Sequence, residues 1–252
     1  MVRLLWVLLL VCVTVAGCSR SGVFRPEYEY EEEIYLALDG SATINVNASV
    51  AALVALRGAD LDVSPRARLD RERVRALFST PESRARVSVS RRDGRRVVHA
   101  SVDVDDVRQA SRIAPLAWSR YRFERQGDMY EYEQTVGPPS RTNPAVGDVG
   151  WTGDELVLFK MHLPSAIVFH NSPAGVLRGN ILEWEQPLRD RLAGAPLGLQ
   201  VHVESDSILL TTLVLFGATI VAALLTFALV IWWIARRGQE GELPTPNSQL
   251  PN

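Results

Sequence analysis

The sequence predicts an α+β domain, an antiparallel sheet with hairpins and a few short helices, together with a C-terminal transmembrane helix. Three observations carry that expectation. The segment 86–105, RVSVSRRDGRRVVHASVDVD, has two alternating runs around a two-residue Asp93-Gly94 turn. With that turn, Arg92 faces Arg95, Val89 faces Val98 and Val87 faces Ala100, so apolar residues meet on one face. Hairpins and short helical stretches are mixed along the chain, the pattern of an α+β fold. An uncharged stretch from Ser207 to Ala235 exceeds the roughly 20 residues that cross a bilayer.

Residues 1–17 have the anatomy of a secretory signal. Arg3 supplies a positive start, Leu4 to Val15 an apolar core too short to span comfortably, and Gly17 a small residue at the processing point. Val15-Ala16-Gly17-Cys18 resembles the bacterial lipobox, in which the cysteine thiol is acylated and becomes the new N-terminus. Acyl chains such as palmitate contribute about 0.8 kcal/mol per buried methylene, and two or more give stable attachment. The alternatives are ordinary cleavage nearby, with Cys18 a bystander, and an uncleaved anchor. Cys12 lies inside the signal, so a chain acylated at Cys18 keeps no pair for a disulfide and relies on its core. Residues 18–26 then form a lipidated tether and 27–206 an extracytoplasmic domain.

Within that domain, Glu29 to Leu38 and Ala42 to Asn47 read as strands joined at Asp39-Gly40. Ser49 to Leu56 and Leu69 to Phe78 fit short helices, the second stopped by Pro81. The Asp93-Gly94 hairpin follows, then a predicted helix over Asp106 to Ala114. A second hairpin joins Trp118 to Glu124 with Met129 to Val136 around Gln126-Gly127-Asp128. Gly137 to Gly153 is a Pro- and Gly-rich loop. Glu155 to Leu163, Ile167 to His170, Asn180 to Glu185 and Leu197 to Glu204 are predicted strands, with one or two helical turns at Pro187 to Leu192.

The span 207–235 has Trp232 and Trp233 at one end with Arg236-Arg237 behind them, and Glu204 and Asp206 before the other end. The excess of arginine places the C-terminus in the cytoplasm of a bacterial cell and the domain outside. No ionisable residue lies in the span, so it reads as an anchor with no ion path. The tail 236–252, with three prolines after Gly238, is expected to be disordered.

The segment LVLFKMHLPSAIVFHNSPAGVLRGNILEWEQPL, followed by a strand and a membrane helix, resembles the LppM-type domain of bacterial envelope lipoproteins. The matching elements are the Leu163-Pro164 break, His170-Asn171, and the strand Asn180 to Trp184. Tyr35 to Val46 resembles the family's opening strands more loosely, and the strong part covers about a fifth of the chain. The resemblance implies a lipobox, an extracytoplasmic α+β domain and a C-terminal span, with lipid or glycolipid binding in place of catalysis.

The residues agree with a non-catalytic reading. No Gly-x-Ser-x-Gly elbow, phosphate-cradling loop with lysine, or His-Glu-x-x-His run is present. The four histidines, His99, His162, His170 and His202, lack tight metal-ligand spacing, and no catalytic residue, metal or cofactor is predicted. Carboxylate pairing by convergence leaves a hydrolase as the weakest alternative. Glu27 to Glu33 reads as a solvated acidic strand or tether. Arg66 to Arg96 holds eleven arginines against four acidic residues, a net +7. This run is either a solvated face or a surface for anionic headgroups or an acidic protein, since nucleic acid is not expected outside the cytoplasm. Arg91, Arg92, Arg95 and Arg96 at the hairpin tip are the candidate ligand-binding residues on that reading. Leu156 to Phe159 and Ile167 to Phe169 lack polar alternation, so both faces of each are expected to be covered. Phe159 and Phe169 then belong to the core or line a cavity for a lipid chain. Membrane lipid is the expected partner, and a structural role holding another envelope protein is the runner-up.

Overall fold

The computed structural model describes residues 28–92, 94–140 and 146–239. The predicted signal segment, the predicted tether with Cys18, and residues 240–252 of the tail lie outside the described residues. The predicted α+β architecture of antiparallel hairpins and short helices is present, with its strands divided between two sheets. The first has the order β3-β4-β2-β1-β7-β9, with β1 Tyr28–Leu36, β2 Ala42–Ser49, β3 Ala85–Arg92, β4 Arg95–Val104, β7 Leu156–His162 and β9 Ile181–Pro187. The second has the order β5-β6-β10-β8, with β5 Ser119–Gln126, β6 Met129–Val136, β8 Ser165–His170 and β10 Leu197–Ser207. Every neighbouring pair is antiparallel except β1 and β7. That parallel pair requires the chain to return in the same direction, which the long excursion through β2 to β6 allows.

Both predicted hairpins form in the predicted places. Arg92 faces Arg95, Val89 faces Val98 and Val87 faces Ala100, while Gln126 faces Met129 across a two-residue turn. Helix α1, Val50–Arg57, is buried from Val50 through Leu56. Ser49 caps it by accepting from the Ala52 amide at 2.9 Å, and Gly58 ends it at φ 64°, where a side chain would be strained. Helix α2, Arg71–Phe78, starts at Asp70 and turns Val74 and Phe78 inward. Residues 107–112 and 114–116 form two 3₁₀ turns where the sequence predicts one helix. Asp106 caps the first, and Pro115, expected to lie beyond the helix, is built into the second. Helix α3 is the short Leu188–Leu192.

One apolar cluster joins the inner faces of both sheets to α1 and α2. It includes Ile34, Ile44, Leu53, Phe78, Tyr132 and Phe159. On β7 the expectation of two covered faces is met, since Val157, Leu158 and Phe159 are all buried. On β8 it fails: Val168 and Phe169 are exposed because β8 is an edge strand of the second sheet.

The register gives the first sheet two distinct ends. Tyr28, Leu156 and Pro187 align at one, beside the Arg92–Arg95 tip. Leu36, Ala42, Val104, His162 and Ile181 mark the other. Eight steps along β1 at about 3.3 Å each put these ends about 26 Å apart. Strand β10 pairs Ser207 with Ser165, just past the second end, and runs directly into helix α4, Ile208–Gln239. Its stretch Thr212–Arg237 is long and apolar enough to cross a membrane. Arg236 and Arg237 lie over the rings of Trp232 and Trp233 at 5.2 and 3.8 Å, which sets charge and aromatic together at that terminus.

Candidate anion-binding groove

At the end far from α4, the chain leading into α2 faces the β3–β4 hairpin across a groove of about 840 Å³. Arg68 and Arg71 line one wall, Arg91 and Arg96 the other, with Leu69 and Val89 between them. Asp70 is the one acidic residue in the lining, and its carboxylate caps α2 through the Glu72 amide at 2.9 Å. Among the described residues, no ion pair joins Arg68, Arg71 or Arg91 to a carboxylate. The groove is therefore electropositive.

The hairpin arginines have different surroundings, although the sequence groups them. Arg91 is exposed. Arg92 donates to the Tyr28 carbonyl at 2.9 Å. Arg95 pairs with Glu29, a carboxylate 1 % exposed that also accepts from the Ser49 hydroxyl. Arg96 is buried beneath residues 62–67, donating to the carbonyls of Ala67 and Asp62. Burial pushes its guanidinium below the usual arginine value, Asp62 opposes that shift, and Arg91 adds to it. Three of the four candidate ligand-binding arginines thus have partners within the chain.

A second pocket, about 230 Å³, adjoins the groove. Val50, Ala51, Val63, Pro65, Val146 and Val149 give it an apolar lining, and Arg96 borders both cavities. Nothing in the spacing of these residues marks them as neighbours, because α1, the 62–65 loop and the 146–149 loop are brought together by the fold.

The aromatic candidates separate. Phe159 is enclosed in the core, its ring 6.2 Å from Tyr30 and 5.9 Å from Trp118. Phe169 is exposed on β8, its ring 5.0 Å from His202.

The acidic strand is not solvated. Glu32 is fully buried, and Glu31 and Glu33 are half-buried beside Lys160 and His162, with the His162 Nε2 to Glu33 distance 2.7 Å. His99 lies between Asn47 and Ser90 at 2.8 Å from each. Among the described residues no three His, Cys, Asp or Glu side chains group to hold a metal.

No family model and no curated protein matches the chain. A solved structure similar to it is the NMR structure of the folded domain of the Mycobacterium tuberculosis LppM protein. That likeness covers 74 % of this chain and 95 % of that one, with a TM-score of 0.40 and 13 % identity.

Proposed function

We propose that this chain is a membrane-anchored envelope lipoprotein whose extracytoplasmic domain binds an anionic amphiphile without catalysis. On this reading acylated Cys18 and α4 are the anchors, and the arginine groove receives the charged head. The observation that carries the proposal is Arg96, which borders both the basic groove and the apolar pocket. An anionic head and an apolar tail have complementary environments on the two sides of one side chain. Arg68, Arg71 and Arg91 supply exposed charges, while Arg96 is held by backbone carbonyls and keeps the partition in place.

The test compares short-chain phosphatidylglycerol with phosphatidylcholine on the full chain, alongside mass spectrometry of lipid carried through purification. Phosphatidylglycerol should bind more tightly, and rising salt should weaken it. Replacing Arg68, Arg71 and Arg91 together with Ser should remove the preference. Equal binding of both lipids by parent and variant would reject the groove. A stoichiometric protein partner with no carried lipid would instead support a role in holding another envelope protein.

A further inference from the structure

The end of the domain where α4 leaves carries a surface of different character. Outside α4, the large apolar side chains exposed among the described residues are Tyr35, Met129, Val168, Phe169, Val176 and Leu177. Tyr35, His162 and Ile181 form the last row in which β1, β7 and β9 align at that end. The Tyr35 and His162 rings stack at 4.0 Å. Leu177 bridges to Ile181, so Val176, Leu177 and Arg178 hang from the same row. Met129 faces Glu204, and the Asp128 carbonyl beside it accepts from the Ser205 amide at 3.0 Å. Val168 and Phe169 lie farther along the edge strand, Phe169 opposite His202, and stand apart from that end. None of the six borders the basic groove.

Short bonds tie this row to the start of α4. Asn180 donates to the Ser165 carbonyl at 2.9 Å, and the Leu163 amide donates to the Asn180 carbonyl at 3.1 Å. Ser165 pairs with Ser207, and its hydroxyl donates to the Asp206 carbonyl. A helix the length of α4 rises about 48 Å, against about 40–45 Å for a bilayer with its headgroups. With Thr212–Arg237 in the bilayer, Ile208 lies at the outer edge of the headgroup layer, and the bonded row lies at that level.

We propose that the rim formed by Tyr35, Met129, Val176, Leu177 and Arg178 rests in the headgroup layer of the membrane that α4 crosses. Single exposed apolar residues are ordinary on a protein surface, but a set gathered at one end beside a membrane helix is not. The chemistry fits that depth. Tyrosine has an apolar ring and a polar tip, Val176 and Leu177 reach the acyl boundary, and Arg178 meets phosphate. The seat rests on the anchor in the proposed function and adds an orientation to it. It holds the arginine groove about 26 Å from the surface, several screening lengths of about 8 Å. Ligand then reaches the groove lifted out of the bilayer or from the far side.

The experiment uses the full chain in vesicles of phosphatidylethanolamine and phosphatidylglycerol, with an environment-sensitive fluorophore on Leu177→Cys, Ser90→Cys or Leu225→Cys, read over the parent's background. Leu177→Cys should show blue-shifted emission and lose intensity to nitroxides at headgroup depth. Ser90→Cys should show neither, and Leu225→Cys should be quenched by deep nitroxides. A label at 177 that reads water like the label at 90, while 225 is quenched, overturns the seat and leaves the anchor standing. An unquenched label at 225 overturns both, whereas the lipid preference of the groove is read separately.

Discussion

The carboxylate of Glu32, on β1 of the first sheet, accepts a hydrogen bond at 2.9 Å from the phenol of Tyr121, on β5 of the second. Tyr30 donates to the same carboxylate at 3.0 Å and the Gln134 amide at 2.8 Å. Gln134 is itself held by the Tyr132 hydroxyl at 2.8 Å and by Ser119. Tyr30, Glu32, Tyr121, Tyr132 and Gln134 are all buried, so the sheets are joined through a polar network inside an apolar core. Such a network is stabilising only while each member is satisfied.

Burial pushes the Glu32 carboxyl above its usual value, against the lowering effect of its three donors. The folded state therefore holds this proton more tightly than the unfolded one. The contribution of Glu32 is fully present below about pH 4.5, the unfolded value, and is lost as pH rises through the folded value. Glu32→Gln should show less of that loss, so denaturant unfolding of variant and parent should converge or cross in favour of Gln as pH increases above 4.5. A gap that widens against the variant over the same range would refute the assignment. Glu32→Leu leaves three buried donors without an acceptor and should cost about 3 kcal/mol or more at any pH.

The hairpin arginines should divide by stability. Arg95→Ser strands the buried Glu29 carboxylate, and removing one partner of a buried pair costs about 3–5 kcal/mol. Arg91→Ser, at an exposed position, should stay within about 0.5 kcal/mol. Thermal or urea unfolding of the two variants measures the difference directly. Equal stability would mean that the Glu29–Arg95 pair contributes nothing.

Cys18→Ser should block acylation and processing of the N-terminus. Mass spectrometry of the mature chain should find lipid on Cys18 in the parent, and an unmodified N-terminus at another residue would end the lipoprotein reading.

The local features were legible in the sequence because short-range rules govern them. The Asp93-Gly94 turn and the period of two fix which residues of β3 and β4 meet, and apolar residues at helical spacing up to Phe78 mark α2. The acidic strand was misread because its partners are remote. Glu29 meets Ser49 and Arg95, while Glu32 meets Tyr121 and Gln134, and no local pattern distinguishes these carboxylates from solvated ones. The same holds for Arg91 and Arg96, which face each other across the hairpin. Only the 62–67 segment folding over one of them makes Arg96 a buried wall and leaves Arg91 free to meet solvent.

The positions of the two proposed anchors give a final prediction about length. Strand β1 begins at Tyr28, at the end of the sheet far from α4, about 26 Å above the proposed seat. Ten peptide units separate Cys18 from Tyr28, and fully extended they reach at most about 36 Å. Acyl chains in the same leaflet as the start of α4 therefore sit within reach of an upright domain, with little slack. Deleting Gly22 to Arg25 cuts the reach to about 22 Å at most, shorter than the span. The domain must then tilt or one anchor must withdraw. In vesicles, the deletion should leave acylation and the fold unchanged while the label on Ser90→Cys moves toward the headgroups and the label on Leu177→Cys loses quenching. Inserting eight Gly and Ser residues at the same place should change neither signal. If the deletion moves neither label and both anchors stay inserted, the domain does not stand upright between two attachments in one membrane.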